Sequence, residues 1–400
     1  MKTKLIATAL FALTAAGIIF FPLKHSTGAI TPLPIDPVVV PQQQERPKVE
    51  VVFVLDTTGS MGGLIEAAKE KIWSIASNMA SAQPAPEIKI GLVAYRDRGD
   101  AYVTRVVDLS TDLDSMYATL IEFQAQGGGD GPESVNQALY DAVNQISWSQ
   151  DQATYKAVFL VGDAPPHMDY QDEVQYPQTL AVAKNKGIVV NTIQCGQTGA
   201  TRKAWQQIAQ VAGGEYFQVE QGGSAVAIST PFDRKLAELS AKLDDTRLYY
   251  GDDEEMAAKQ RKLEATKKLH EAASLESRAR RATFNASDSG VDNLLGENEL
   301  VDDVVSGRVD LEAIDEAKLP EPLQAMPPAA RQAAIEETAA KRDALQQQIQ
   351  ALSQQRSSYL KEKLAESDAA EDSLDAKIYG AVREQAKAKG LSYEAEMSDY

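Results

Sequence analysis

Residues 49–61 read Val49-Glu50-Val51-Val52-Phe53-Val54-Leu55-Asp56-Thr57-Thr58-Gly59-Ser60-Met61, and this stretch decides the fold. Its first seven residues are apolar and mostly β-branched, broken only by Glu50. A strand with one wet face alternates in polarity; a near-continuous apolar run predicts a strand buried on both faces, as in a parallel sheet covered by helices. Gly62 and Gly63 follow, and Leu64 to Met79 then carries helical spacing. The same grammar recurs outward along the chain. Ile88–Tyr95 (IKIGLVAY), Lys156–Val161 (KAVFLV) and Ile188–Ile193 (IVVNTI) are apolar runs of strand length, separated by helical stretches such as Val135–Ile146. The alternation predicts an α/β fold with a doubly wound, mostly parallel sheet. Val103–Leu109 begins too soon after Tyr95 for a helical crossover, which needs about a dozen residues, so it is expected as one antiparallel edge strand reached by a hairpin. Glu215–Val219 is expected as the last strand.

At 400 residues the chain exceeds the roughly 250 to 300 residues over which a single core grows. Residues 48–222 are assigned to the α/β domain and 223–400 to a charged, mainly α-helical C-terminal region. Phe232–Thr283 and Pro328–Glu366 are rich in Ala, Glu, Lys, Gln and Arg, the composition of helices. In the second, Ile335, Thr338, Arg342, Leu345, Ile349, Leu352, Arg356 and Tyr359 fall on alternating three- and four-residue steps. That is a weak heptad seam with two arginines in it, open to two readings: a short coiled coil through which copies oligomerise, or a lone amphipathic helix packed on its neighbours. Residues 24–47 carry Pro32, Pro34, Pro37, Pro41, Pro47 and Gln42–Gln44, and read as a linker. In residues 1–23, Lys2 and Lys4 precede an uncharged apolar run from Leu5 to Leu23. This is the pattern of a signal peptide or of an N-terminal membrane anchor, since the run reaches about 28 Å as a helix. Both readings stay open. Each sends the remainder out of the cytoplasm, either anchored in the inner membrane and facing the periplasm, or released as a periplasmic or secreted protein.

The formal net charge of −18 excludes a general attraction to nucleic acid or to anionic lipid headgroups. Cys195 is the only cysteine, so neither an intramolecular disulfide nor a cysteine metal cluster can form. The three histidines, His25, His167 and His270, are scattered. A metal site must therefore be built mainly from oxygen, which suits magnesium, manganese or calcium and not zinc.

Ligands of doubly wound sheets bind at the carboxyl ends of strands where the winding reverses, and the Asp56 loop leaves its strand at such an end. Asp56, Thr58 and Ser60 alternate, so a carboxylate and two hydroxyls can point at one centre while the residues between them point away. Asp163 ends a second buried strand. Gly127-Gly128-Gly129-Asp130-Gly131-Pro132-Glu133 is a loop opening a helix, and Asp130 is free to reach the site. It is no phosphate loop, because no Gly-Lys-Ser/Thr follows. Tyr95, Arg96 and Asp97 end the neighbouring strand on the expected rim, where Arg96 either reads a partner's anion or closes a turn with Asp97 or Asp100. His167, after Pro165-Pro166, is expected as a solvated loop residue shaping the same rim.

Together these residues resemble the von Willebrand factor type A (VWA) family. Asp56-Thr57-Thr58-Gly59-Ser60-Met61 is similar to that family's DxSxS metal-ion-dependent adhesion site, with Thr58 in place of the middle serine. Asp163 matches its later aspartate, and Asp130 stands where the family has a threonine. The added Tyr95-Arg96-Asp97 and GGGDGPE elements resemble the subset attached to alpha-type protein kinases and its bacterial relatives, although no kinase-like segment is evident in the tail. The resemblance spans about 175 of the 400 residues. It implies a Rossmann-like fold and a divalent cation, magnesium first, with manganese or calcium as alternatives, held by Asp56, Thr58, Ser60, Asp130 and Asp163. It also implies a protein ligand whose carboxylate replaces a metal-bound water. Asp130 adds charge and is expected to retain the cation while weakening the need for an acidic ligand. The function that follows is a metal-dependent adhesion or scaffold module of the bacterial cell envelope, without enzymatic activity. A hydrolase or phosphatase using Asp56 as nucleophile lacks the second acid two residues on, where Thr58 stands, and no Ser/His/Asp set is supplied. A domain whose metal serves stability alone is the third reading.

Overall fold

The computed structural model describes residues 46–129, 131–223, 228–364 and 373–394. The expected signal or anchor, nearly all of the linker and Asp130 lie outside the described residues. In chain order the first part contains β1 (Lys48–Asp56), α1 (Gly62–Ala80), β2 (Glu87–Tyr95), β3 (Thr104–Ser110), α2 (Leu113–Glu122), α3 (Val135–Asn144), β4 (Tyr155–Gly162), α4 (Tyr176–Asn185), β5 (Ile188–Cys195), α5 (Gly199–Ala212) and β6 (Gly213–Val219). These strands form one sheet in the order β3-β2-β1-β4-β5-β6. All neighbours run parallel except β3, the hairpin partner of β2, which pairs Tyr95 with Thr104. This is the doubly wound sheet with one antiparallel edge strand.

β1 explains why its sequence does not alternate. Val49, Val51, Phe53 and Leu55 face one core with α1 and α2, while Val52 and Val54 face the other with α3, α4 and α5. Both faces are dry, so both side-chain sets must be apolar. Glu50 interrupts the run at the amino end of the strand, where its carboxylate accepts the Ser149 amide at 2.9 Å beside Lys156 of β4. From β1 the chain winds to β2 and β3 on one side, then crosses back to β4, β5 and β6 on the other. The reversal opens a crevice at the carboxyl ends of β1 and β4.

The second part holds α6 (Asp233–Asp244), α7 (Asp253–Ala272), α8 (Leu275–Asn285), short helices α9 (Val291–Leu295), α10 (Leu300–Val305) and α11 (Glu321–Gln324), the long α12 (Pro328–Leu364) and α13 (Leu374–Ala386). The change expected at residue 223 is a change of secondary-structure class, not a break in packing, because the described residues from Arg46 onward form one compact unit. Leu269 of α7, Phe284 of α8 and Leu374, Ile378 and Tyr379 of α13 complete the core on the α1 face of the sheet. α1 is accordingly buried nearly all round. Ion pairs seal the joint: Lys71 of α1 meets Asp375 of α13 at 2.9 Å, and Arg281 of α8 bridges Asp114 of α2 and Asp244 of α6.

The heptad seam of α12 takes the lone-helix reading. Ile335, Arg342, Leu345, Ile349 and Arg356 are buried, and the helix packs on α6, α8 and α10 of its own chain. The two arginines are satisfied there, Arg342 by Glu299 at 2.8 Å and by the Thr246 carbonyl at 2.7 Å, Arg356 by Asp233 at 2.8 Å. Among the described residues no helix is long and apolar enough to cross a membrane.

Candidate metal centre

β1 delivers Asp56 to the floor of the crevice, fully buried. Its Oδ1 accepts the Thr58 amide at 2.9 Å and the Thr58 hydroxyl at 2.7 Å, which holds Thr58 extended before the chain turns into a 3-10 turn at 59–61. Thr58 Oγ1 lies 3.5 Å from Ser60 Oγ, and Ser60 is exposed. The alternation read from sequence thus brings one carboxylate and two hydroxyls together. Asp56 Oδ2 is buried without a hydrogen-bond partner among the described residues.

β4 delivers Asp163 beside it. Asp163 Oδ2 accepts Gln221 Nε2 at 2.6 Å, and its carbonyl accepts the Thr201 hydroxyl at 2.8 Å. Gln221 also donates to the Ser60 carbonyl at 3.4 Å, so the turn after β6 stitches the Asp56 loop to Asp163. Gly162, just before Asp163, has no room for a side chain: a Cβ there would collide with the Tyr95 hydroxyl and lie 2.9 Å from Asp56 Cβ.

Sequence reasoning missed Glu133 as a site residue, although it closes the GGGDGPE motif. Glu133 is only 4% exposed, and its Oε2 has no partner among the described residues. Burial, reinforced by Asp56, Asp97, Asp100 and Asp163, pushes its carboxyl up to about 9. Burial likewise pushes Asp56 up to about 7, with Asp163 adding to the shift and the Thr58 hydrogen bonds opposing it. In both, burial is the larger cause and neighbouring carboxylates add to it.

The four residues expected on the rim are inside, and that is a correction. Tyr95 is fully buried against Gly162, its hydroxyl unpartnered and its pKa raised by burial and then by Asp56 and Glu133. Arg96 is 5% exposed, and its hydrogen bonds go to backbone carbonyls instead of to Asp97 or Asp100. Its Nε donates to the Thr57 carbonyl at 3.2 Å and its Nη2 to the Gln124 carbonyl at 2.8 Å, which makes it a strut between two loops. Asp97 accepts the Ser134 hydroxyl at 2.8 Å and the Tyr170 hydroxyl at 3.0 Å. His167 is buried, not solvated: it stacks on Tyr170 at 4.1 Å between centroids, with Nδ1 2.8 Å from Asp169 and Nε2 3.3 Å from Asp97. Arg96, Asp97 and His167 Nδ1 find internal partners because loops 57–60, 96–100, 124–128 and 165–170 converge here, while the Tyr95 hydroxyl has none among the described residues.

The donor set suits a hard cation. Asp56, Thr58, Ser60 and Asp163 offer oxygen only, and two buried carboxylate oxygens stand unpartnered near them. Among the described residues no three His, Cys, Asp or Glu side chains could hold an ion by themselves, so an ion here would need the hydroxyls and water as well.

Residues 50–230 match the family described as von Willebrand factor A domain. Among curated relatives, von Willebrand factor A domain-containing protein 7 of Rattus norvegicus is 39% identical over 120 residues, 30% of this chain and 12% of that protein. Alpha-protein kinase vwkA of Dictyostelium discoideum is 28% identical over 121 residues, 30% of this chain and 19% of that one. The chain therefore spans only 12% to 19% of the length of these relatives. The solved structure of proximal thread matrix protein 1 from the mussel byssus, with a zinc-occupied MIDAS motif, is 16% identical at a TM-score of 0.34 and covers 43% of this chain and 42% of that one.

Proposed function

From the premise that this chain is a von Willebrand factor A domain protein, with that domain over residues 50–230, we propose that the β1/β4 crevice holds a divalent cation and binds a protein partner through it. The observation that carries the proposal is Asp56: one carboxylate oxygen organises Thr58 and the other is buried without a partner. A buried charge left unpaired costs several kcal/mol, and a cation at that oxygen removes the cost. Asp56, Thr58, Ser60 and Asp163 would hold the ion, magnesium first and manganese or calcium next, and Asp130 joins them by its resemblance to the family pattern. When bound, the ion supplies a coordination position at which an oxygen of the partner replaces a water. Gln221 and Arg96 hold the loops that carry these donors.

The module is proposed to act without catalysis. Thr58 stands where an aspartate-nucleophile phosphatase needs its second acid, and His167 is engaged with Asp97 and Asp169. It is further proposed to be a bacterial envelope protein, tethered or released, on the strength of Lys2, Lys4 and the apolar run after them. Thermal unfolding of the whole chain with magnesium or manganese against chelator tests the metal proposal. Saturation at about 100 times Kd is expected to stabilise by about 2.7 kcal/mol, and an unfolding curve indifferent to both ions contradicts it. Turnover of a generic phosphoester by the metal-loaded chain would overturn the non-catalytic reading, and recovery in the cytosol after cell fractionation would overturn the envelope assignment.

A further inference from the structure

Within the reading of the crevice as a cation site, on which this step rests, we infer that Asp100 is a positioning residue of that site: its carboxylate sets the glycine turn at 126–128, and that turn fixes the backbone on which the Thr58 and Ser60 hydroxyls stand. Asp100 lies between β2 and β3, where its amide closes a turn on the Asp97 carbonyl at 3.3 Å. Its Oδ2 accepts two further amides, that of Asp97 at 3.2 Å and that of Gly128 at 3.0 Å. One carboxylate oxygen thus ties the end of β2 to a loop 28 residues further along the chain.

The glycine turn needs such a tie. Gly127 and Gly128 both take positive φ, +79° and +72°, a region that glycine enters and leaves freely, so two of them in succession do not select one path by themselves. The Asp100 carboxylate selects it by occupying the space beside Gly127: a Cβ there would lie 2.2 to 2.5 Å from its Cγ and both its oxygens. So held, the turn pairs with the Asp56 loop. Gln126 donates its amide to the Thr57 carbonyl, and the Gly127 carbonyl accepts the Gly59 amide, both at 3.1 Å. Thr57 and Gly59 flank Thr58, and Gly59 alone separates Thr58 from Ser60, whose hydroxyl oxygens lie 3.5 Å apart. Thr58 Cβ is itself 3.1 Å from the point where a Gly128 Cβ would sit, so the turn also backs Thr58 directly. Arg96 ties Thr57 to Gln124 at the near end of this turn, and Asp100 ties its far end at Gly128. Donors on loops bind an ion well only when their supports hold them in place beforehand.

Calorimetric manganese titration of the whole chain tests this, comparing wild type with Asp100→Ala and Asp100→Asn under circular dichroism, together with hydrogen exchange of the 57–60 and 126–128 amides in the metal-free chains. Asparagine presents a carbonyl oxygen where Oδ2 stands but carries no charge. Asp100→Ala is expected to bind manganese about 10- to 100-fold more weakly and to exchange the Gly59 and Gly128 amides faster, while Asp100→Asn stays close to the wild type in both. Wild-type affinity in Asp100→Ala overturns the inference. So does an Asp100→Asn variant that binds as weakly as Asp100→Ala with its amides still protected, because the charge of Asp100 would then act and not its hold on the turn. Should Asp100→Ala lose its native circular dichroism, Asp100→Leu replaces it, similar in shape and without an acceptor, with the same losses expected. A wild type that binds no manganese brings down the metal reading itself, and the exchange rates then report separately whether Asp100 holds the turn.

Discussion

Replacing Arg281 with methionine removes the positive charge that joins the α/β sheet to its helical cover, and the structure fixes how much that should cost. Arg281 is fully buried. Its Nε donates to Asp114 Oδ1 at 2.7 Å, while Nη1 and Nη2 reach Asp244 at 2.8 and 3.0 Å. Removing one partner of a buried ion pair costs about 3 to 5 kcal/mol, a large share of the roughly 5 to 15 kcal/mol that holds a typical protein folded. The cost should fall unevenly. Asp244 keeps His270 at 2.7 Å and Arg247 at 3.5 Å, whereas Asp114 keeps only the neutral Thr266 and Asn293 as hydrogen-bond partners among the described residues. Urea unfolding at neutral pH is the assay. Arg281→Met is expected to lose about 3 kcal/mol or more, and adding Asp114→Asn should recover more of it than adding Asp244→Asn. A loss under about 1 kcal/mol, or equal recovery by the two, refutes the reasoning. The pH dependence has a defined sign. Burial raises the Asp114 carboxyl, but Arg281 overcomes this and holds it down at about 2, below its unfolded value of about 3.9. The folded state therefore binds fewer protons in that interval. The pair's contribution is present above about pH 4 and is lost as pH falls through about 2, a loss that Arg281→Met should abolish.

Three further outcomes are expected. Gly162→Ala places a methyl against the Tyr95 hydroxyl and 2.9 Å from Asp56 Cβ, which should cost about 1 to 3 kcal/mol in urea unfolding. Tyr95→Phe in the same chain should return part of that, and a cost-free Gly162→Ala would contradict the packing. Asp375→Ala removes the carboxylate that neutralises Lys71 at 2.9 Å, so α1 should exchange its amide hydrogens faster and the chain should lose about 3 kcal/mol; unchanged exchange would show that α13 does not brace the sheet. Arg96→Lys keeps the charge but cannot span both the Thr57 and Gln124 carbonyls, and it should weaken manganese binding about tenfold without touching the ion. Wild-type affinity in that variant would remove Arg96 from the account.

The sheet was legible because burial on two faces writes itself into consecutive residues: Val51 to Leu55 admits no other placement, and the short interval between Tyr95 and Val103 admits no helix. Asp56, Thr58, Ser60 and Asp163 were legible for a related reason, since strand ends and alternation fix where side chains point. Glu133 and Arg96 were not. Whether a charged residue near a strand end faces water or a carbonyl depends on which loops converge there, and loops 124–128 and 165–170 approach from distant parts of the chain. Gln221 was hidden in the same way, its partner Asp163 lying across two intervening helices and two strands. The seam of α12 was visible in its spacing, yet its destination turned on Glu299 and Asp233, which give Arg342 and Arg356 internal partners that no spacing rule announces.

The central claim is most directly tested by calorimetric titration of manganese or magnesium into the whole chain, comparing wild type with Asp56→Ala and Asp163→Ala. The account predicts one ion per wild-type chain, and lost or strongly weakened binding in both variants while their circular dichroism stays native. A wild type that takes up no ion at millimolar concentration, or an Asp56→Ala variant that binds as the wild type does, would contradict it.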